Sequence, residues 1–137
     1  MCDDYARRLR RYGRLEEIEV REAGRAPSPE VGRAREAAAL LERLPRGARL
    51  VALTRSGTAW SSAEVARRLD RWRSAGGPLA FALGGSHGLG PEVLERAEAL
   101  WSFGPLTLPH ELARVVLLEQ LYRAFTILEG RPYHKGR

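Results

Sequence analysis

The chain has a single cysteine, Cys2, and no acidic or histidine cluster at metal-ligand spacing beside it. That excludes an internal disulfide framework and agrees with a reducing compartment, and no metal site is expected. Lysine is almost missing too: of 23 basic residues only Lys135 is not arginine, so part of the basic excess reflects composition bias. No apolar stretch approaches bilayer length, which excludes a membrane-spanning helix. The opening Met1-Cys2-Asp3-Asp4 runs into arginines rather than into a secretory apolar segment, and the expectation is a cytoplasmic protein. Repeats, low-complexity tracts and linkers are absent, so the 137 residues predict one domain, 1–137.

What the chain does have is basic charge, 23 Lys and Arg against 17 Asp and Glu, a net +6. Such a surface fits a polyanion, nucleic acid first. The clusters Arg7, Arg8, Arg10, Arg11 and Arg67, Arg68, Arg71, Arg73 read as solvated helix faces before they read as RNA contacts. If they do meet RNA, binding weakens steeply with salt.

The order of elements alternates strand and helix. Asp3 to Tyr12 predicts a short helix stopped by Gly13, and Leu15 to Glu22 a strand with one wet face around Ile18 and Val20. Ser28 caps a helix with Pro29 at its first position, its buried stripe being Val31, Ala34, Ala38, Leu41 and Leu44. Leu50 to Leu53 is apolar enough for a strand covered on both faces, with Thr54 to Trp60 as its loop. Ser61 and Glu64 have capping-box spacing ahead of a helix that buries Val65, Leu69 and Trp72. Leu79 to Leu83 is a strand, and Pro91 starts a helix bearing Val93, Leu94, Ala97 and Leu100. Trp101 to Phe103 is a short strand, and a long helix from Glu111 to Glu129 is closed by Gly130. The alternation implies a parallel sheet with helices on both sides, and ligands in such folds bind beyond the carboxyl ends of the strands.

Two segments converge there. Gly84-Gly85-Ser86-His87-Gly88 follows a buried strand, where glycine lets backbone press close to a ligand. Alone it is equally a tight turn. Leu106-Thr107-Leu108-Pro109-His110 supplies a second wall, with Leu106 and Leu108 also serving packing and His110 capping the last helix. A dinucleotide-type glycine fingerprint is absent. Trp60, Trp72 and Trp101 read as core, although Trp60 stands beside this region. The long last helix carries more apolar surface than one sheet face needs, which supports a homodimer.

Leu50-Val51-Ala52-Leu53 with Gly57, Gly84-Gly85 with Gly88-Leu89, Leu106 to His110, Leu121-Tyr122-Arg123-Ala124 and the tail Pro132-Tyr133-His134-Lys135 follow one another in a single register. Together they resemble the large-subunit rRNA pseudouridine N3-methyltransferases of the SPOUT class, the ribosomal large subunit methyltransferase H family. The resemblance implies an α/β fold with a C-terminal deep trefoil knot, which general topology rules would have argued against. It implies S-adenosyl-L-methionine as methyl donor and a homodimer. As substrate it implies N3 of a pseudouridine in 23S rRNA on assembled ribosomes. The family opens with a further strand ahead of the helix near Asp3, so the sheet is expected without its first family strand. Carried over by position, the cofactor contacts are Leu53, Gly84, Phe103, Gly104, Pro105, Leu106, Thr107 and Leu108. No role transfers to His87, where the family often carries an acidic or amide residue.

The acceptor is an imide nitrogen that must lose its proton, and a neutral histidine is suited to take it. His134 is the candidate base or positioner, with Tyr133 expected to stack on or hydrogen-bond the target base and Arg123 or Lys135 to hold phosphate. The alternative is a non-catalytic rRNA-binding or ribosome-assembly protein on the same scaffold.

Overall fold

Two helices begin at a serine cap that the sequence announces, whereas the last has Pro109 at its cap position and His110 as its first helical residue, not as its cap. In the computed structural model, which describes residues 2–13, 26–84, 88–131 and 133, the first helix, α1, spans Cys2–Leu9 and ends in a 3₁₀ turn at Arg10–Tyr12. The expected strand Leu15 to Glu22 lies outside the described residues. Helix α2 runs Pro29–Arg43 with the Ser28 hydroxyl accepting from the Val31 amide at 3.2 Å, and α3 runs Ser62–Ala75 with Ser61 accepting from Glu64 at 3.1 Å. Strands β1, β2 and β3 are Arg49–Ala59, Leu79–Leu83 and Ala99–Ser102, with α4 at Pro91–Arg96 and α5 at His110–Leu128. The chain divides into two compact units, Ile18–Ala59 with Gly77–Leu106, and Met1–Glu17 with Trp60–Gly76 and Thr107–Arg137.

The first unit holds a wholly parallel sheet of three strands in the order β2-β1-β3. Leu50, Val51 and Ala52 on the central strand are completely buried, as a continuous apolar run in a parallel sheet should be. Strand alternation puts Leu50, Ala52 and Ala82 on one face, where they pack with Ala37 of α2 and Val93 of α4. Burying a side chain such as Leu50 or Val93 contributes about 1.5–3 kcal/mol. On the opposite face Phe81, Trp101 and Phe103 make edge-on ring contacts at 6.3 and 5.0 Å.

Several features depart from the sequence reading, among them β3, which runs Ala99–Ser102 rather than Trp101 to Phe103. Thr54 to Ala59 is strand rather than loop: β1 leaves the ladder after Leu53 and rejoins it with Thr58 opposite Trp101 and Ala59 opposite Ser102. The buried face of α2 is Gly32 and Ala37, with Leu40, Leu41 and Leu44 partly covered, while Val31, Ala34 and Ala38 are exposed. The cause is close approach to the start of α4, where a Cβ on Gly90 would stand 3.0 Å from the Arg33 carbonyl and 3.2 Å from the Ala37 Cβ, so small residues are selected. Helix α4 stops at Arg96, short of Leu100. The Glu98 amide bonds to the Leu50 carbonyl at 2.7 Å and Arg96 to the Ala48 carbonyl at 2.7 Å, which draws the chain into pairing with β1.

The second unit is helical. Val65, Ala66 and Leu69 of α3, Ala6 and Leu9 of α1, and Leu117, Leu118, Leu121 and Tyr122 of α5 are buried. Helix α5 ends in a Schellman motif: Gly130 at φ 72° donates to the Ile127 carbonyl at 3.1 Å and Arg131 to the Thr126 carbonyl at 2.8 Å. Only a residue that tolerates the left-handed region turns the chain off the helix this way. Leu112 and Leu128 of α5 stay exposed. Among the described residues no helix is long and apolar enough to cross a membrane.

Candidate active site

At the carboxyl end of the sheet Leu53 is in register with both Leu83 and Trp101, so three chains leave from one row. β2 passes directly into Gly84. A Cβ there would lie 2.6 Å from the Gly88 carbonyl carbon and 2.7 Å from the Leu89 nitrogen, so the loop closes on itself at a distance no side chain fits. Residues 85–87, His87 among them, lie outside the described residues. β1 makes its excursion at Thr54 to Gly57 on this end. A Cβ on Gly57 would meet the Leu100 carbonyl carbon at 2.6 Å and the Trp101 nitrogen at 2.7 Å, which fixes glycine where the strand returns.

β3 empties into Phe103, Gly104, Pro105 and Leu106. Ser102, almost fully buried, organises that turn: its hydroxyl accepts from the Gly104 amide at 3.0 Å and donates to the Gly104 carbonyl at 3.3 Å. Gly104 sits at φ 109°, and the Arg55 guanidinium reaches the Pro105 carbonyl at 3.4 Å. Leu106 is 75 % exposed, so the packing role expected for it is not realised; Leu108 is half-buried. Leu53, Gly84 and the turn Phe103 to Leu106 thus come together at one sheet end. Ser102 and Arg55 were missed in the sequence, the only signal being a serine two residues before a glycine.

Thr107 and Leu108 belong to the helical unit, as do Arg123 and Tyr133. Arg123 and Tyr133 are brought together there, the guanidinium 5.2 Å over the ring. Both meet the carboxylate of Glu119: Arg123 pairs with it through Nε and Nη2, and the Tyr133 hydroxyl donates to Oε2 at 3.0 Å. Arg123 and Glu119 expose only 13 % and 17 % of their side chains. Burial, then hydrogen bonds to Tyr5 and Glu119, pushes the Tyr133 phenol far above its ordinary value, so the hydroxyl remains a donor. His134 and Lys135 lie outside the described residues. Among the described residues no group of His, Cys, Asp and Glu could hold a metal ion.

Half of the arginines in the two clusters are engaged in local ion pairs. Arg7 and Arg8 pair with Asp4 at 2.6 and 3.3 Å, and Arg67 and Arg68 with Glu64, whose carboxyl is held below the usual range chiefly by the Arg67 hydrogen bond. Arg68 also lies 4.2 Å over the Trp60 ring.

Apolar side chains and turn backbone at the carboxyl end of a parallel sheet are where an α/β fold of this kind takes a small molecule. The family model described as "Predicted SPOUT methyltransferase" matches residues 1–134, and the chain belongs to that family. Within it the chain falls among the proteins named ribosomal RNA large subunit methyltransferase H. It is 56 % identical to the one from Rubrobacter xylanophilus, over 97 % of this chain and 87 % of the relative. It is 50 % identical to that of Gloeobacter violaceus, over 98 % and 87 %, and 43 % identical to that of Pseudomonas putida strain W619, over 96 % and 86 %.

Proposed function

We propose that the protein is an S-adenosyl-L-methionine-dependent methyltransferase that methylates N3 of a pseudouridine in 23S rRNA on assembled ribosomes. It acts in the cytoplasm as a homodimer, and residues 1–137 form one domain closed by a C-terminal trefoil knot. The observation that carries this reading is the near-full-length identity to relatives named for the methylation of large-subunit ribosomal RNA.

The residues at the sheet end suit the cofactor. Leu53, Phe103 and the exposed Leu106 are apolar and fit the faces of an adenine ring, and the turn from Phe103 to Leu106 offers backbone N–H and C=O groups for its edge. Gly84, pressed onto Gly88 and Leu89, keeps side-chain bulk away from that end. When bound, S-adenosyl-L-methionine supplies an electrophilic methyl group on a sulfonium centre. What the protein must add is alignment and proton removal. Tyr133 stacks on or hydrogen-bonds the target base, His134 takes the imide proton, and Lys135 holds phosphate. Arg123, clamped by Glu119, acts on Tyr133 from the ring face.

Calorimetric titration with S-adenosyl-L-methionine, followed by methyl transfer to ribosomes with the product base mapped, tests the proposal. A folded sample that binds rRNA but neither binds the cofactor nor transfers methyl would establish the non-catalytic rRNA-binding alternative instead. Ser102→Ala removes both hydrogen bonds that shape the Gly104 turn. Cofactor affinity should weaken about three- to tenfold, the value of one or two net hydrogen bonds, with little change in melting temperature. An unchanged dissociation constant would take the Phe103 to Leu106 turn out of the cofactor site.

A further inference from the structure

Glu119 stands at the centre of a polar network that proton removal and methyl alignment do not by themselves explain. Its Oε1 accepts from Gln120 Nε2 at 2.9 Å and from Arg123 Nε at 3.3 Å, and its Oε2 from Arg123 Nη2 and from the Tyr133 hydroxyl at 3.0 Å. A carboxylate has about four acceptor positions, and here each meets a donor. The Gln120 amide is itself oriented by Ser62, whose hydroxyl donates to Oε1 at 2.8 Å. On the far side the Tyr133 hydroxyl lies 3.3 Å from that of Tyr5 in α1, and the Tyr122 ring meets Tyr133 edge-on at 4.9 Å.

An i,i+4 Glu–Arg pair on a helix is ordinarily a surface contact of small value. This one is four-fifths covered and reaches a residue 14 positions further along the chain, beyond the helix stop. Terminal segments fray unless something ties them down. The Schellman turn at Gly130 reverses the chain, and Glu119 is the group that receives it.

We propose that Glu119 is a positioning residue for methyl transfer: its carboxylate fixes Tyr133 against α5 and so sets how Tyr133 meets the target base. The inference rests on the methyltransferase reading above. Arg123 then serves as the clamp on the Tyr133 ring, its charge matched by Glu119, and phosphate contact falls to Lys135.

The test compares Glu119→Gln, Tyr133→Phe and the double variant on the full-length protein. Single-turnover methyl transfer to ribosomes should fall roughly 10- to 100-fold in each single variant, the cost of misplacing a reacting group by about an ångström, with S-adenosyl-L-methionine affinity within about twofold. The double variant should be no slower than the slower single one, because both remove the same constraint. Multiplicative slowing would mean that the two residues act independently, and would overturn the proposal. Absorbance at the phenolate band, titrated upward from neutral pH, gives a readout apart from activity. Subtracting the Tyr133→Phe spectrum should show Tyr133 ionising above the ordinary phenol range in the unsubstituted protein and at a lower pH in Glu119→Gln, where burial and the Tyr5 hydrogen bond remain. Ordinary ionisation of Tyr133 near pH 10 in the unsubstituted protein refutes the hold on Tyr133 whatever the activity. Absence of methyl transfer by the unsubstituted protein refutes the functional reading instead. Should Glu119→Gln fail to fold, Tyr5→Phe carries the same comparison, expected to slow transfer about two- to tenfold and not at all on top of Tyr133→Phe.

Discussion

Replacing His134 by alanine should slow methyl transfer to ribosomes by about two to four orders of magnitude, the usual worth of a positioned general base, while leaving cofactor affinity within about twofold. The imide N–H of the proposed acceptor is a poor nucleophile until its proton leaves, and an imidazole is the side chain suited to take a proton near neutral pH. The residue before His134 is Tyr133, which Glu119, Tyr5, the Tyr122 ring and the Arg123 guanidinium hold against α5. That hold fixes Tyr133, whose proposed contact with the target base aligns the acceptor for proton removal. The sign of the pH dependence follows. A base works deprotonated, so the single-turnover rate should rise with pH and then level, and His134→Ala should flatten that rise. Equal losses of rate and cofactor affinity would place His134 in the cofactor cleft and remove it from proton transfer.

Much of the scaffold around that chemistry is written in local signals. Ser28 with Pro29 and Ser61 with Glu64 announce their helices because the hydroxyl must reach an amide only three residues on, a distance sequence can see. Strand β2 has the expected limits, Leu79–Leu83, since glycines and a proline bound an apolar run. The continuation of β1 through Ala59 was not legible. Arg55, Ser56 and Gly57 have no apolar alternation, and the return to β3 is made by backbone groups that any sequence carries. The face of α2 was misread for a related reason. Close packing at Gly90 favours smallness over hydrophobicity, so Gly32 and Ala37 are covered while Val31 is not.

The candidate site divides the same way. Leu53, Gly84 and Phe103 to Leu106 could be placed at one sheet end because strand order and loop position follow from alternation of elements. Ser102, Arg55 and Glu119 could not. Each acts through a contact whose partner is fixed by a turn or a chain reversal, and in the sequence Glu119 four residues before Arg123 is an ordinary exposed helix pair.

Gly84→Ala tests the sheet end most severely. The obstacle is space and not torsion, for Gly84 lies outside the left-handed region, whereas Gly88 sits at φ 78° with nothing near its absent Cβ. An added methyl on Gly84 would stand 2.6 Å from the Gly88 carbonyl carbon, 2.7 Å from the Leu89 nitrogen and 2.9 Å from the Gly88 Cα. All are backbone atoms, so no side chain can rotate away and the loop itself must shift. Overpacking of this kind costs about 1–3 kcal/mol, and the displaced segment is one wall of the proposed cleft. Cofactor affinity should therefore fall at least about tenfold, or about 1.4 kcal/mol, with a modest drop in melting temperature. Gly88→Ala separates the two causes. Its penalty is conformational, about 1–2 kcal/mol of stability, and no backbone is pushed aside, so affinity should change less than stability. If Gly84→Ala binds S-adenosyl-L-methionine as tightly as the unsubstituted protein, the glycine loop is only the turn that its composition first suggested, and the cleft must be sought between other strand ends.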